Sequence, residues 1–164
     1  MEKSIIFIFL LLSTLISYSQ SLFRFAENES TFGDLSAAIV IDPNASIKES
    51  GLNIGVELEA QIKPIYIRTS ITNFSALKDG YTDFTLSLGL NFSLDDKNVY
   101  RYYSGIRYGL IKRLEIFPTA GIECGFNYQP FISNVYYGMR CTYDYRSDAE
   151  LYRQSGYVLI GVKF

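Results

Sequence analysis

The chain has 164 residues, of which 48% are hydrophobic and 16% aromatic, with no His and a formal net charge of −2. That length fits one domain and not comfortably two, and the scattered Lys and Arg form no basic stripe that follows phosphates, so no nucleic-acid partner is expected. The absence of His removes the usual general base at neutral pH and the commonest metal ligand, so neither an enzyme nor a cofactor is expected.

Residues 1–19 have a cationic start at Lys3, an apolar core from Ile5 to Ile16 and a small-x-small tail, Ser17-Tyr18-Ser19. This is the pattern of a cleaved secretory signal peptide. The apolar core is shorter than the roughly 20 residues a membrane-spanning helix needs. Cleavage after Ser19 leaves Gln20 first, and with no Cys nearby no lipid attachment is expected. Residues 20–31 show no period and read as a flexible lead-in, leaving 32–164 as the folded domain.

Within that domain apolar residues recur at every second position. The pattern holds at Leu52, Ile54, Val56, Leu58, Ala60 and Ile62, at Phe84, Leu86, Leu88, Leu90, Phe92 and Leu94, and at Val158, Ile160, Val162 and Phe164. A period of two is that of a β-strand, whose side chains alternate between faces. Eight strands are predicted, over 32–42, 50–63, 66–74, 81–94, 101–112, 115–127, 134–146 and 155–164. Most breaks carry turn residues, including Asp42-Pro43-Asn44, Lys63-Pro64, Lys78-Asp79-Gly80, Asp95 to Asn98, Asn127 to Pro130 and Arg146-Ser147-Asp148. Lys112 to Glu115 lacks Gly and Pro. No apolar run after the signal reaches helix-spanning length, whereas a transmembrane strand needs only about 9–11 residues. The expectation is an all-β, closed, eight-stranded antiparallel up-and-down transmembrane barrel.

A soluble barrel would turn the greasy face inward, so the second face decides. It carries Thr85, Ser87, Gly89, Asn91 and Ser93 in the fourth strand, and Thr119, Gly121, Glu123, Gly125 and Asn127 in the sixth. Small polar residues suit the inside of a narrow barrel, whereas a wet surface carries more Lys, Glu and Arg. The charges on this face are Glu57, Glu59, Lys63, Arg68, Arg107, Glu123, Arg140, Asp144 and Lys163, nearly balanced in sign. Because an unpaired charge in such an interior is costly, they are expected to pair. Arg107, Glu123 and Arg140 should cluster, with Gly121 leaving room, and Glu59 should meet Arg68 across the hairpin at Pro64.

Cys124 and Cys141 are the only cysteines. With Gln129 to Ile132 as the hairpin centre, Cys124 falls opposite residue 137 and Cys141 opposite residue 120. That offset is too wide for a disulfide, so two free thiols are expected. Phe74, Tyr81, Tyr100, Tyr102, Tyr103, Tyr128, Phe131, Tyr136, Tyr137, Tyr145, Tyr152 and Tyr157 crowd the predicted strand ends, as membrane-interface girdles do.

These residues resemble the small eight-stranded outer-membrane barrels of the OmpA/OmpX type, especially the porin-like barrel proteins of Bacteroidota. The most specific element is the ending Tyr157-Val158-Leu159-Ile160-Gly161-Val162-Lys163-Phe164, with the Ser19-Gln20 junction beside it. The resemblance implies that Phe164 is the signal read by the outer-membrane barrel assembly machinery. It also implies periplasmic termini, with loops near 43–49, 75–80, 112–115 and 147–154 facing outside.

Chemistry is sparse. Glu57 and Glu59 read as members of a charge network rather than a catalytic pair, and Asp95-Asp96 lacks the remaining oxygens of a calcium loop. Eight strands leave an interior that side chains fill. Three readings follow: a plugged structural or scaffolding protein of the outer membrane, with the lipid bilayer as its partner; an accessory subunit of a larger outer-membrane complex, docking through small residues such as Ala37, Ala60, Ala120 and Cys124; and an exported soluble ligand-binding barrel.

Overall fold

The computed structural model describes residues 34–164 apart from 49, 63, 75–79, 96–97, 131–132 and 148. The expected signal peptide and lead-in lie outside the described residues, as do Lys63, Lys78, Asp79, Asp96 and Phe131. The strands are β1 (Leu35–Ile41), β2 (Ile54–Ile62), β3 (Ile65–Asn73), β4 (Thr82–Ser93), β5 (Tyr100–Lys112), β6 (Ile116–Tyr128), β7 (Val135–Arg146) and β8 (Leu151–Lys163). Each pairs with its neighbours in sequence, and β1 also pairs antiparallel with β8, closing an eight-stranded barrel. Closure gives every strand two partners and removes the free edge that an open sheet leaves.

The period-two alternation sorts side chains between the two walls. In β2 and β3 burial alternates at every residue. Outward positions are apolar: Leu58 is 63% exposed, Leu86 52%, Leu88 49% and Ile106 64%. Inward positions are polar or charged, and Ser87, Thr85, Asn91, Thr119 and Asn127 are all buried. Ser93 instead ends β4 at an exposed rim position.

Three boundaries differ from expectation. The segment after β1 is not a simple turn: Pro43–Lys48 forms a short helix, α1. Asp42 caps it, accepting a hydrogen bond from Ala45 N at 2.8 Å through Oδ1, and Pro43 occupies the first helical position, which tolerates proline. Ser50 adopts φ 55° just beyond the helix. β2 therefore starts at Ile54 and not at 50. β8 starts at Leu151 and not at 155, because Glu150 at φ 52° completes a tight turn; the expected 147–154 loop shrinks to 147–150.

Helix α1 packs at one end of the barrel. Ala45 packs into an interior cluster with Phe74, Tyr81, Ile111 and Tyr157, and Phe117 packs against it. Phe74 and Tyr81 stack at 4.4 Å between ring centroids. Arg153 lies over the Phe74 ring and reaches the buried Asp42 at 3.8 Å. Replacing Asp42 by Ala removes both the cap and this ion pair, and is expected to lower stability by about 0.5–2 kcal/mol, read as an earlier urea midpoint of protein refolded in detergent micelles.

The aromatic residues divide in a way their crowding at strand ends did not reveal. Tyr100, Tyr128, Tyr137, Tyr145 and Tyr152 point outward. Tyr103, Tyr136 and Tyr157, together with Phe74 and Tyr81, are buried inside. Three inward rings oppose glycine in register: Tyr66 faces Gly89, Tyr103 faces Gly125 and Tyr136 faces Gly161. Tyr66 crosses Gly89 and Gly105, which face each other in register, and a Cβ on Gly89 would stand 2.6 Å from Tyr66 Cε1.

Candidate functional site: the charged interior

The inward face of β2, β3, β5, β6 and β7 brings the charged residues into one buried assembly. Glu59 and Arg68 are directly opposed across β2 and β3, and the Arg68 Nη2 group donates to Glu59 Oε2 at 2.6 Å. The same guanidinium reaches across the lumen and donates through Nη1 to Glu123 Oε1 of β6 at 2.8 Å. Its Nε stands 3.7 Å from Glu57 Oε1. One arginine, 2% exposed, thus meets three carboxylates from two strands. The planar fork of five donors makes this reach geometrically available to Arg and not to Lys.

Aromatic rings complete the cage. The Arg68 guanidinium carbon lies 4.7 Å from the Tyr66 ring centroid and 4.4 Å from that of Tyr103. The two rings meet edge to face at 5.6 Å. Tyr66 also donates its hydroxyl to Glu123 Oε1 at 2.7 Å, so the carboxylate accepts from both a phenol and a guanidinium.

Two further arginines extend the assembly. Arg140 on β7 donates to Glu57 Oε2 at 2.6 Å, a second bond across the lumen, and its guanidinium lies over the Tyr157 ring. Arg107 on β5 is 3.3 Å from Asp144 Oδ1 and 3.7 Å from Asp83 Oδ2. Nearer the rim at the chain end, Arg101 donates to Gln61 at 3.2 Å, and Lys163 pairs with Asp34 at 2.9 Å.

The expected cluster of Arg107, Glu123 and Arg140 is partitioned differently. Glu123 bonds Arg68, Arg140 bonds Glu57, and Arg107 joins Asp83 and Asp144. The cause is the β6–β7 register. Gly125, not Gly121, stands opposite Arg140, and Gly121 stands opposite Asp144. The hairpin centre lies two residues further along than the turn signals implied. The same shift places Cys124 directly opposite Cys141; both are free and outward.

Asp83, Tyr66, Tyr103 and Arg101 are among the interior residues that sequence reasoning missed. Asp83 lies two positions before Thr85 and Tyr66 two before Arg68, so extending the inward phase of each strand would have found them. Among the described residues no group of three His, Cys, Asp or Glu is placed to hold a metal ion. The hollow between Asp83, Asp144, Arg146 and Tyr157 measures about 10 Å³, at the lower limit for one water molecule. Phe164 is 80% exposed, and its backbone N donates to Leu35 O.

The sequence matches no protein-family model and no curated protein. Solved structures match in shape. The chain is similar to Neisserial surface protein A, with TM-score 0.51 and 15% identity over 82% of this chain and 96% of that one. It is similar to the Yersinia pestis outer membrane protein Ail, with TM-score 0.52 and 12% identity over 80% of this chain and 99% of that one. It is also similar to the N-terminal β-barrel domain of Pseudomonas aeruginosa OprF, with TM-score 0.56 and 12% identity over 83% and 100%. The fold is that of the small eight-stranded outer-membrane β-barrels.

Proposed function

We propose that the chain is an integral outer-membrane protein, exported behind a cleaved signal peptide, whose filled barrel has a structural or scaffolding role and no catalytic turnover. One observation carries this reading: every strand presents apolar side chains outward while charged side chains are buried inside. A soluble monomer rarely exposes contiguous apolar surface beyond a few hundred Å², and here the exposed apolar face continues around the closed wall. The outward rings support a membrane location. Tyr137 and Tyr145 of β7 are eight residues apart, about 27 Å along the strand and about 20 Å along the axis at the usual tilt. That approaches the apolar band of about 25 Å in such barrels. Phe164, exposed just after β8, is the residue the assembly machinery would read.

Arg68–Glu123 and Arg140–Glu57, which reach across the lumen between walls, support a plugged interior. Eight strands enclose a space that side chains fill. Reconstituted into a planar bilayer, the protein is expected to give no steady conductance; stepwise openings of porin size would overturn the plug. In fractionated cells it is expected in membranes that survive alkaline and urea washing, and release into the soluble fraction would overturn the membrane location.

One observation favours a second reading, as an accessory subunit. An outward hollow of about 570 Å³ runs over β1, β2, β3 and β8. It forms where the small Ala37 stands between Leu58 and Val162, and small residues permit close approach of neighbours in a bilayer. Copurification in mild detergent separates the two: a stoichiometric larger partner supports the subunit, and a lone heat-modifiable band supports the scaffold.

A further inference from the structure

We propose that Cys124 and Cys141 close a cross-strand disulfide between β6 and β7. The two residues are direct register partners and both face outward. Ser147 N donates to Pro118 O in the same strand pair, so residues 118 and 147 are a hydrogen-bonded pair. Residues 124 and 141 lie an even number of steps along and belong to the same class, for which Cα atoms stand about 5.5 Å apart. That is within the 4.4–6.8 Å that disulfides span.

Opposed side chains project from the same face with Cβ atoms about 4.5–5.5 Å apart, against about 3.5–4.5 Å in a bridge. In a hydrogen-bonded pair the separation lies toward the wide end of that range, so closure draws β6 and β7 together by about 1–2 Å at this level. The flanking positions in the same row are small: Ser104 opposes Cys124 and Gly156 opposes Cys141. No atom lies within 4 Å of the place a Gly156 Cβ would occupy. Bulky neighbours do not hold the thiols apart.

The proposal rests on the reading of the chain as an exported protein, since disulfides persist in oxidising compartments. The step is thiol–disulfide exchange with a disulfide-bearing donor. One cysteine thiolate attacks the donor disulfide and releases a donor thiolate. The second then attacks the mixed disulfide, forming the Cys124–Cys141 bond and releasing the other donor thiolate. The chain loses two protons and two electrons, and the donor becomes a dithiol. Because the nucleophile is the thiolate, exchange takes place in water, before this face meets hydrocarbon. The bond then fastens one hairpin of the barrel covalently.

The test is a thiol count on the full chain expressed in cells with an oxidising periplasm. Envelope and soluble fractions are dissolved in SDS with a polyethylene-glycol maleimide, with or without prior reductant. The expected result is an unshifted monomer without reductant and two additions after reduction, while Cys141→Ser accepts one addition without reductant. Two additions to unreduced wild-type chain, or a reductant-sensitive dimer in place of the monomer, would overturn the bridge. Recovery from the soluble fraction would overturn the membrane reading instead, and the thiol count on that material still decides the bridge.

Discussion

Replacing Arg68 by Ala is expected to remove about 3–5 kcal/mol of stability, the usual effect of deleting one partner from a buried ionic group. Arg68 bonds Glu59 and Glu123 and lies near Glu57, so its loss leaves carboxylates facing each other in a space where water solvates them poorly. The contact of the guanidinium with the Tyr66 and Tyr103 rings is lost as well. Arg68→Lys restores the charge but not the fork, and one ammonium does not bond β2 and β6 together as the guanidinium does; its urea midpoint should fall between those of wild type and Arg68→Ala. Pairing Arg68→Met with Glu59→Gln and Glu123→Gln should recover part of the loss, because neutral groups no longer require a countercharge. A midpoint for Arg68→Ala equal to that of wild type would show that the cage does not hold the walls together.

Gly89→Ala is expected to cost about 1–3 kcal/mol, the range for forcing extra atoms into a packed site. Its Cβ would press on the backbone Ser104 O and stand 2.6 Å from both Gly105 Cα and Tyr66 Cε1, so the β4–β5 contact must open and the ring must move. Ring movement disturbs the Tyr66–Glu123 hydrogen bond, which couples this strand pair to the central cage. Gly156→Ala supplies the contrast. Nothing lies within 4 Å of its added atom, and the change should stay within about 0.5 kcal/mol, as for ordinary surface positions. Equal effects at the two glycines, read by urea titration in the same micelles, would remove close ring packing as the cause.

The walls of the barrel were legible in the sequence because a strand has only two faces. Once Leu86, Leu88 and Leu90 are assigned outward, Thr85 and Ser87 must point inward. Nearest-strand pairs were partly legible for the same reason: Glu59 and Arg68 flank the short turn at Pro64, which leaves little freedom of register. The β6–β7 turn is longer, and a shift of its centre by two residues preserves every inward and outward assignment while changing every partner. Cys124 and Cys141 moved from offset to opposite without leaving their face. Contacts across the lumen, such as Arg140 with Glu57, depend on strand stagger around the whole barrel, which no single hairpin encodes. Helix α1 was hidden because Asp42-Pro43 begins a turn and a capped helix equally well. Inward Tyr103 and outward Tyr102 are adjacent in sequence, so aromatic content near a strand end says nothing about face; phase and the facing Gly125 do.

The absence of Trp from the chain permits a direct measurement of which wall meets hydrocarbon. Leu88→Trp and Tyr103→Trp are refolded separately into vesicles containing lipids brominated along their acyl chains. The Leu88→Trp fluorescence should be blue-shifted and strongly quenched by bromine, while Tyr103→Trp inside the barrel should be quenched little. Quenching of Tyr103→Trp by the brominated chains, with Leu88→Trp red-shifted and quenched by aqueous iodide, would show that the barrel is inverted.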